Sequence, residues 1–318
     1  MADDSGIDHL TLFGVIKATI YDGGSKLFDL AVSSITLSST FNAIPSIGIT
    51  LASFDQTSGE DAPILTNPSV FLEQYTRLRA YVDKETTTLT LTIPAVVDGE
   101  NKLLTFTNWP VVDVTVNQLS VEHNNAPSLA MIVMHPIYYA SMGTGFVPNV
   151  TDIPKPPDDL TKATSILELF TLCVESLYKI MLSGTEAKMY TSVKTTCGDL
   201  ESMKQVLSER VDRALKVFRE YVVLGEFGNS FPFGEPEIGY LARFMWQRIF
   251  TANDIWSAFS SSILPELELV SGFWFSDPEY KITVTPFEAW AKGDAVISNF
   301  NTISLPGGRD AIAGVVVN

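Results

Sequence analysis

Two glutamates and one cysteine are the residues of this chain whose types and spacing could support catalysis. Glu168 and Glu175 lie seven positions apart in a helical pattern, so they share one face and could act together as the acid and base of a hydrolase. Cys197 lies just before a predicted helix, and a helix N-terminus can lower the pKa of a thiol and make it nucleophilic. Structural roles are favoured for these residues, because Glu168 also fits a capping position and no histidine lies near Cys197 in the sequence.

The histidines and the remaining acidic clusters do not form a recognisable site either. None of the three histidines has the spacing of a metal site, and we interpret them as surface or turn residues: His9, His123 and His135. Glu60–Asp61 and Asp158–Asp159 lie in polar segments and are predicted to be solvated loop acids. The chain also lacks the glycine-rich and GxSxG patterns of nucleotide-binding and hydrolase sites. We therefore predict no catalytic, cofactor-binding or metal-binding residue, and no enzymatic activity.

The overall composition indicates a globular protein with an acidic surface. Of the 318 residues, 46% are hydrophobic and 18% are charged, and the formal net charge is −16. Such a surface repels nucleic acid, although an acidic passage would let DNA slide through without binding it. Cys173 and Cys197 are too few for a disulfide framework, which favours folding in a reducing cytoplasm. The acidic start is unlike a secretory signal, and no apolar run is long enough for stable membrane insertion.

The first part of the chain has the patterns of short β-strands. Residues 10–38 predict a hairpin around the turn sequence DGGS. Strict alternation of apolar and small or polar residues follows at 46–52 and predicts a strand with one buried face. The segments 75–83, 86–99 and 102–123 are also predicted as strands. In 86–99, Leu89, Leu91 and Ile93 alternate with threonines, and 102–123 is predicted as two strands bent at Trp109–Pro110. About seven short strands at close spacing favour a barrel or a sandwich.

Helical patterns begin after a proline-rich stretch at 146–160. Stripes of apolar residues begin near Ser165, Asp199 and Pro236, and a fourth short helix covers 252–262. Ser165 and Glu168 together fit a capping box at the start of the first of these helices. Gly225 is predicted to cap the second helix at its C-terminal end.

Strands resume after the helices, at 267–276 and 280–287. The tail ends in a β-like run, which we interpret as a strand meant to pair or as the start of a further domain. The simplest interpretation is an α+β fold in which a helical unit is inserted into a β core. The predicted domains are a β-barrel-like domain at 1–145, a helical insert at 146–262 and a C-terminal β section at 263–318.

Two segments are unusually rich in aromatic residues. Residues 225–240 combine four aromatic side chains with glycines and prolines, and residues 272–276 have the sequence GFWFS. An exposed segment of this kind would be a docking patch, whereas a buried one would pack the helices onto the β core. The sequence leaves both interpretations open.

The segment FNAIPSIGITLASFD, residues 41–55, resembles part of the tail-baseplate hub family. This family includes the hubs of contractile phages and the trimeric spike proteins of type VI secretion. Residues 42–45 match the Asn-x-Ile-Pro sequence that commonly opens a strand in the first β domain of these hubs, and Asp55 follows the strand. The later order SSSILPELELVSG and then KITVTPF is similar to the hub segment where a helix ends and a new β section begins.

The resemblance implies a structural role in an assembly. The 1–145 segment would be a tube (hub) domain, and the 263–318 section would complete a ring of three copies. This homotrimer would join the tail tube protein to the central spike protein, contact other baseplate proteins and let DNA pass through its lumen without specific binding. It would belong to the virion, in the tail baseplate, and be assembled in the host cytoplasm. Because such a ring needs each strand in a fixed register, we expect Pro45 and the Ile47, Ile49 and Leu51 face to fix it here.

Two other functions are compatible with the same patterns. The chain could be a different tail or baseplate interaction module, such as a distal tail, wedge or fibre-attachment protein. Less in keeping with the sequence, it could be a cell-wall hydrolase with a site in the helical insert, where Glu168, Glu175 and Cys197 would be its catalytic candidates.

Overall fold

The computed structural model of the chain describes residues 16–53, 68–82, 85–97, 100–117, 128–142, 153–183, 199–225, 235–275, 277–286, 303–304 and 315–317. Helices and β-strands are both well represented, and the six strands before the helical region pair in an antiparallel manner. The broad prediction of an α+β protein is therefore confirmed.

The main sheet is built from six strands in the first part of the chain. They are β1 (Lys17–Asp22), β2 (Ser25–Ser38), β3 (Ser46–Ser53), β4 (Thr87–Val97), β5 (Glu100–Asn117) and β6 (Ser128–Met134). Their order in the sheet is β1–β2–β3–β6–β5–β4, and β4 also pairs with β1. Each of the six strands therefore hydrogen-bonds to two of the others.

The two long strands β5 and β2 change partner partway along their length. β5 pairs with β4 as far as Pro110 and with β6 from Val111 onward. The predicted bend at Trp109–Pro110 is this change of partner, but the residues form one strand rather than two. Asn108, at φ 57°, lies where the β4–β5 register shifts, as in a β-bulge. β2 changes from β1 to β3 after Leu30.

Alternation along β3 and β4 places one face of each strand in the core. The buried residues of these faces are Ile47, Ile49, Leu51, Leu89, Leu91 and Ile93. The glycine and threonines between them point the other way and are only half-buried. The turn between β1 and β2 uses Gly23 and Gly24, at φ 55° and 85°, as the DGGS sequence predicts.

Helix α1 (Pro68–Val82) corrects one strand prediction. Residues 75–83 are predicted as a strand, but residues 75–82 belong to this helix. Leu78 and Val82 lie one helical turn apart and are both buried, whereas Ala80 between them is exposed. A strand would place all three on one face, so this pattern fits a helix. Arg79 pairs with Asp113 of β5 at 2.6 Å, which holds the helix against the main sheet.

Five helices follow the main sheet. These helices are α2 (Tyr138–Ser141), α3 (Ile166–Ser183), α4 (Leu200–Tyr221), α5 (Glu235–Thr251) and α6 (Ile255–Ser257), which continues into a π-helical turn at Ala258–Ile263, in the part of the chain that the structure describes. Turns of 3-10 helix lie at Asp158–Lys162 and Pro265–Leu267. The ring centroids of Phe170, Phe218 and Phe259 lie 4.8 to 4.9 Å apart and join α3, α4 and the π-helical turn. Within the described ranges, no helix is long and apolar enough to cross a membrane.

Two helix ends differ from their predictions. The Glu168 N–H donates to Ser165 Oγ at 3.1 Å as in a capping box, but the Glu168 carboxylate accepts from Thr164 instead of Ser165. Helix α4 ends at Tyr221, so Gly225 does not cap it. A Cβ at Gly225 would lie 2.5 Å from Cγ2 of Thr285, so close packing explains the glycine.

A second, three-stranded sheet is formed after the helices. Strand β9 (Ile282–Pro286) lies between β7 (Val222–Leu224), which runs parallel to it, and β8 (Leu269–Phe273), which runs antiparallel. The predicted strands at 267–276 and 280–287 are therefore confirmed. Two further short strands, β10 (Ile303–Ser304) and β11 (Val315–Val317), pair with β2 and β4 of the main sheet.

Candidate functional site

The main sheet meets β8 and β9 at a buried contact that we call the junction. It is formed by the corner before β3, the histidine after β6, the end of α4 and the strand pair β8–β9. Its members are Asn42, Trp109, His135, Tyr221, Ser271, Phe273 and Tyr280. These residues come from all three predicted domains, so the junction ties distant parts of the chain together.

Asn42 connects the corner before β3 to β8 through both its backbone and its side chain. The Asn42 N–H donates to Ser271 O at 3.0 Å, and Asn42 Oδ1 accepts from the Ser271 N–H at 2.8 Å. The Ser271 hydroxyl donates to the same Oδ1 at 3.3 Å. Asn42 has φ 58°, in the left-handed region that asparagine tolerates better than most residues. Asparagine therefore suits this position for two reasons: it tolerates the left-handed backbone conformation, and its side-chain oxygen accepts from the Ser271 N–H.

Strand β8 is buried along its whole length between two sets of partners. All of its residues, from Leu269 to Phe273, are buried. β9 pairs with one edge of β8, and the other edge is bound by Asn42 and by Ser39, whose hydroxyl donates to Phe273 O at 3.2 Å. The carbonyl of Pro45 accepts from the His135 N–H at 2.9 Å. The Asn-x-Ile-Pro corner therefore contacts both β8 and the end of β6.

His135 is fully buried, and both of its ring nitrogens have partners. Nδ1 accepts from the Ile137 N–H at 3.1 Å, so the ring carries its proton on Nε2, which donates to Tyr280 O at 2.9 Å. Burial lowers the pKa of His135 to about 3, which keeps the imidazole neutral at physiological pH. His135 does begin a turn, since its carbonyl accepts from the Tyr138 N–H at 2.9 Å, but it is not a surface residue, because the apolar run MIVMHPI carries it into the core.

Aromatic rings surround the His135 imidazole. Trp109, Tyr221 and Phe273 lie edge-on to it, at centroid distances of 5.2, 4.8 and 5.2 Å. The Tyr280 hydroxyl accepts from the Thr105 N–H of β5 at 3.1 Å. Burial raises the pKa of Tyr221 to about 12 and also raises the pKa of Tyr280, so both phenols stay uncharged.

Asp277 shapes the turn that brings Tyr280 to His135. Its Oδ1 accepts from the Glu279 N–H at 2.9 Å, and its Oδ2 accepts from the Lys281 N–H at 3.1 Å. Tyr280 itself has φ 53°. The side chain of Asp277 thus holds the local conformation in which the Tyr280 carbonyl accepts from the imidazole.

The chemistry of the junction is that of a structural contact. The imidazole is neutral, enclosed and bonded at both nitrogens. Ser271 is 2% exposed, and its hydroxyl donates to Asn42 Oδ1. Buried polar groups that satisfy one another fix a single geometry, because any displacement leaves them without partners in an apolar surrounding. The arrangement can therefore join elements, but it exposes neither a base nor a nucleophile to a substrate.

Glu168 and Glu175, the candidate acid pair, are bound by separate partners. The Glu168 carboxylate accepts from both the backbone N–H and the hydroxyl of Thr164 at 2.6 Å, which lowers its pKa. Glu175 pairs with Arg219 of α4. Each carboxylate therefore supports the helical packing, in line with the structural role that the sequence favours for Glu168.

The other sequence candidates are placed as follows. Asp158 and Asp159 are exposed on a turn of 3-10 helix, which confirms them as solvated loop acids. Cys173 is buried between α3 and α5, with Sγ 3.9 Å from Ala242 O, and burial raises its pKa to about 12. The remaining candidates lie outside the described residues: His9, Glu60, Asp61, His123 and Cys197.

A groove of about 610 Å³ lies beside the junction. Its lining is mostly apolar and is formed by Asn42, Pro265, Leu267, Glu268, Leu269, Val270 and Pro286. In the part of the chain that the structure describes, no three histidine, cysteine, aspartate or glutamate side chains come together to hold a metal ion. The described lining of the groove is therefore that of an apolar surface depression.

The two aromatic segments differ in the burial of their described side chains. Phe273 and Phe275 are buried, and Phe275 contacts Phe106 of β5 edge-on at 5.9 Å. The described part of this segment, residues 272–275, therefore packs onto the β core. In the segment 225–240, Tyr240 is 79% exposed on α5, and the aromatic residues before position 235 lie outside the described residues.

Sequence reasoning missed several members of the junction, among them His135 and Ser271. The burial of His135 could have been inferred from the apolar residues on both sides of it and from Pro136, which ends the strand. The role of Ser271 has no local sequence signal, because its partner Asn42 lies 229 positions away.

Compared with known proteins, the chain matches no family model and no curated protein. Its function is therefore inferred from its own residues and geometry.

Proposed function

We propose that the protein is the structural hub of a tail baseplate, in a phage or a related contractile injection machine. Three copies form a ring that joins the tail tube to the central spike. The protein acts through the shape and pairing of its surfaces, without catalysis. It is assembled in the host cytoplasm and resides in the virion.

The observation that carries this proposal is the position of the Asn-x-Ile-Pro corner. This corner is the part of the sequence that resembles the hub family, and in the fold it binds two elements at once, β8 through Asn42 and the end of β6 through Pro45. Residues of an assembly module must hold strands in one register, because a slip of one residue turns every side chain to the other face. A corner that is held by hydrogen bonds to two elements keeps β3 in one register, and a subunit that pairs with neighbouring copies needs such a fixed register.

The pairing of the main sheet also supports a tube domain. Each of the six strands has two partners within the set, and β1, β3 and β6 are paired along both edges. Strands that are paired on both edges do not pair at random with other chains. In the proposed ring the six strands form a barrel-like tube module, and its outer faces and loops meet the neighbouring subunits, the tube protein and the spike protein.

The charge of the chain fits a passage for nucleic acid. With a net charge of −16, three copies around an axis would surround the lumen with negative potential. Phosphate groups are repelled from such a surface, so DNA can pass without specific binding.

The mass and symmetry of the purified full chain test the proposal. We expect a particle of three times the 34.9 kDa of one chain, and averaged electron micrographs with threefold symmetry, either alone or when mixed with the tail tube protein of the same machine. A chain that stays single under both conditions, at high concentration, would contradict the hub function. A sixfold ring would instead favour a distal tail protein or another baseplate module.

The hydrolase alternative is tested separately with a cell-wall degradation assay. We expect no release of soluble fragments by the wild-type chain. Release by the wild-type chain, lost in Glu168→Ala, Glu175→Ala or Cys197→Ala while the fold is retained, would support an enzyme and contradict the structural role.

A further inference from the structure

The main sheet and the β8–β9 pair touch through single groups rather than through a shared ladder. Within the described strands, the two sheets have separate ladders. The hydrogen bonds that cross between them involve Asn42 with Ser271, Ser39 with Phe273, Thr105 with Tyr280, and His135 with Tyr280. The β8–β9 pair can therefore leave the main sheet without breaking a β-ladder, which makes this contact a natural place for local opening.

The His135 imidazole fits this contact only in its neutral form. Nδ1 accepts from the Ile137 N–H, so a proton on Nδ1 would leave two donors facing each other. The rings of Trp109, Tyr221 and Phe273 enclose the imidazole, and a positive charge there would lose its hydration. The geometry of the closed junction therefore strongly disfavours the imidazolium ion.

The titratable side chains beside the imidazole offer it no negative charge. They are the phenols of Tyr221 and Tyr280, whose pKa values are raised by burial, so both are uncharged at neutral and acid pH. The contacts from β5, from β8 and from the corner before β3 are made by Trp109, Phe273 and Pro45, which carry no charge. A proton on His135 would therefore have no counter-ion among these neighbours.

The charged side chains of the surrounding elements are engaged with other groups. Asp277 accepts from the N–H groups of Glu279 and Lys281, and the Lys281 ammonium donates to Glu220 O and lies 5.8 Å from the centroid of the Tyr221 ring. That ammonium adds positive charge to the side of the junction where a counter-ion would be needed. On β5 and on α4 the ion pairs are Arg79–Asp113, Arg210–Glu85 and Arg219–Glu175.

We propose that the junction is an acid-sensitive contact, in which protonation of His135 releases β8 and β9 from the main sheet while the strands of the main sheet stay paired. In the released state the imidazole is in water and takes up a proton with its ordinary pKa of 6.5. The population of the released state therefore increases about tenfold for each pH unit below that value, or about 30-fold from pH ~7.5 to pH ~5. The inference concerns a single copy of the chain, so it does not depend on the proposed function.

This pH window lies above the range in which carboxylates drive acid unfolding. The described carboxylates with a lowered pKa are Asp29, Glu168 and Asp199, whose ordinary pKa values are 3.8, 4.5 and 3.8. Their protonation destabilises the fold mostly below pH ~5. A response between pH ~7.5 and pH ~5 therefore reports a histidine.

Thiol labelling at position 271 tests the release. In a background with Cys173→Ala and Cys197→Ser, Ser271→Cys places a thiol at a position of β8 that is 2% exposed. A disulfide reagent that reacts in acid labels this thiol when β8 leaves the main sheet, and a peptide of the same local sequence gives the unprotected rate at each pH. We expect the protection of this thiol to fall about 30-fold from pH ~7.5 to pH ~5. Protection that stays constant over this range would overturn the proposal.

A thiol in the main sheet is the matched control for location. Ala18 of β1 is also 2% exposed, and Ala18→Cys in the same background reports opening of the main sheet. We expect its protection to change less than about threefold over the same range. An equal fall at positions 18 and 271 would show that the whole chain opens, and would overturn a release confined to the junction.

Two histidine variants identify the group that takes up the proton. His135→Gln keeps an amide donor but has no titratable ring, so in the Ser271→Cys chain we expect it to abolish the fall in protection. His123→Gln removes a different imidazole and should leave the fall intact. A fall that persists in His135→Gln, or one that is lost in His123→Gln, would overturn the proposal. Should His135→Gln fail to fold, the comparison of positions 271 and 18, together with His123→Gln, still decides the outcome.

Discussion

At the scale of residues, the fold depends on a few buried polar groups whose partners lie far along the chain. Asn42 and Ser271 are the clearest example. The backbone of Asn42 adopts a left-handed conformation, and its side-chain oxygen accepts from the buried N–H of Ser271 at the edge of β8. His135 is the second example, since its Nε2 donates to the carbonyl of Tyr280 and its Nδ1 accepts from the N–H of Ile137. Such groups stabilise little when paired, but they destabilise strongly when one partner is removed.

Replacement of Asn42 tests the first contact. Asn42→Ala removes the acceptor of the buried Ser271 N–H and places alanine in the left-handed region, so we expect a loss of about 2–4 kcal/mol in the free energy of unfolding. Asn42→Asp keeps an acceptor at the same place and should lose clearly less. Denaturant titration of both variants measures the difference, and equal losses would contradict the role of Oδ1.

The pH dependence of stability tests the buried histidine. The pKa of His135 is lowered to about 3 in the folded chain from 6.5, so the folded state binds fewer protons than the unfolded state between these values. Stability is therefore full above the unfolded pKa and is lost as the pH falls, by about 2 kcal/mol from this group between pH ~7.5 and pH ~5. Histidine NMR should show a neutral ring protonated on Nε2 at pH ~5. A titration of this ring near 6.5 would contradict the enclosed imidazole.

At the scale of elements, the strands show which features a sequence can predict. Period-two alternation identifies the buried faces of β3 and β4, and DGGS identifies the β1–β2 turn, because both depend on neighbours in the chain. The pattern does not reveal that β5 serves two partners, or that residues 75–82 are helical. Those outcomes depend on the burial of Leu78 and Val82 and on the pairing around Pro110, which only the tertiary structure decides.

The packing of β7 against β9 carries one prediction at this scale. Among the described residues, the buried Oγ1 of Thr285 has no hydrogen-bond partner. Thr285→Val removes this hydroxyl at nearly constant shape, so we expect a gain of about 1 kcal/mol in the free energy of unfolding. Thr285→Ser keeps the hydroxyl and loses the methyl group, so it should be less stable than Thr285→Val in the same thermal or denaturant titration. A loss of stability in Thr285→Val would indicate that the hydroxyl is bonded in solution.

At the scale of the whole molecule, the junction joins the main sheet to the helical region and the second sheet. The predicted domains 1–145, 146–262 and 263–318 each contribute a residue to it, through Asn42, Tyr221 and Ser271. The sequence indicates where the period changes between strands and helices. It cannot indicate how the three segments meet, because that information is in contacts between residues that lie far apart in the sequence, such as His135 with Tyr221 and Asn42 with Ser271.

The rate at which a thiol reagent labels Cys173 tests whether the helical region and the main sheet unfold together. Its thiol is buried in the helical region, far from the junction in sequence, and burial raises its pKa to about 12. In a Cys197→Ser background we expect a thiol reagent to label Cys173 only through opening of the fold. Asn42→Ala should then accelerate labelling by about tenfold or more, following its loss of stability. Unchanged labelling in a destabilised Asn42→Ala chain would show that the helical region opens independently of the sheet.

The distance between Asn42 and Ser271 along the chain also has a consequence for synthesis. The ribosome makes Ser271 229 residues after Asn42, which at ~5–20 residues per second takes roughly 10–50 s. During that interval the corner before β3 has no β8 to bind, although the six strands that precede the helices end at Met134 and are made early in it. Nascent chains of this protein therefore fill this corner only after Ser271 has been made, and chains that terminate before that residue will present the unfilled corner to the proteases and chaperones of the cell.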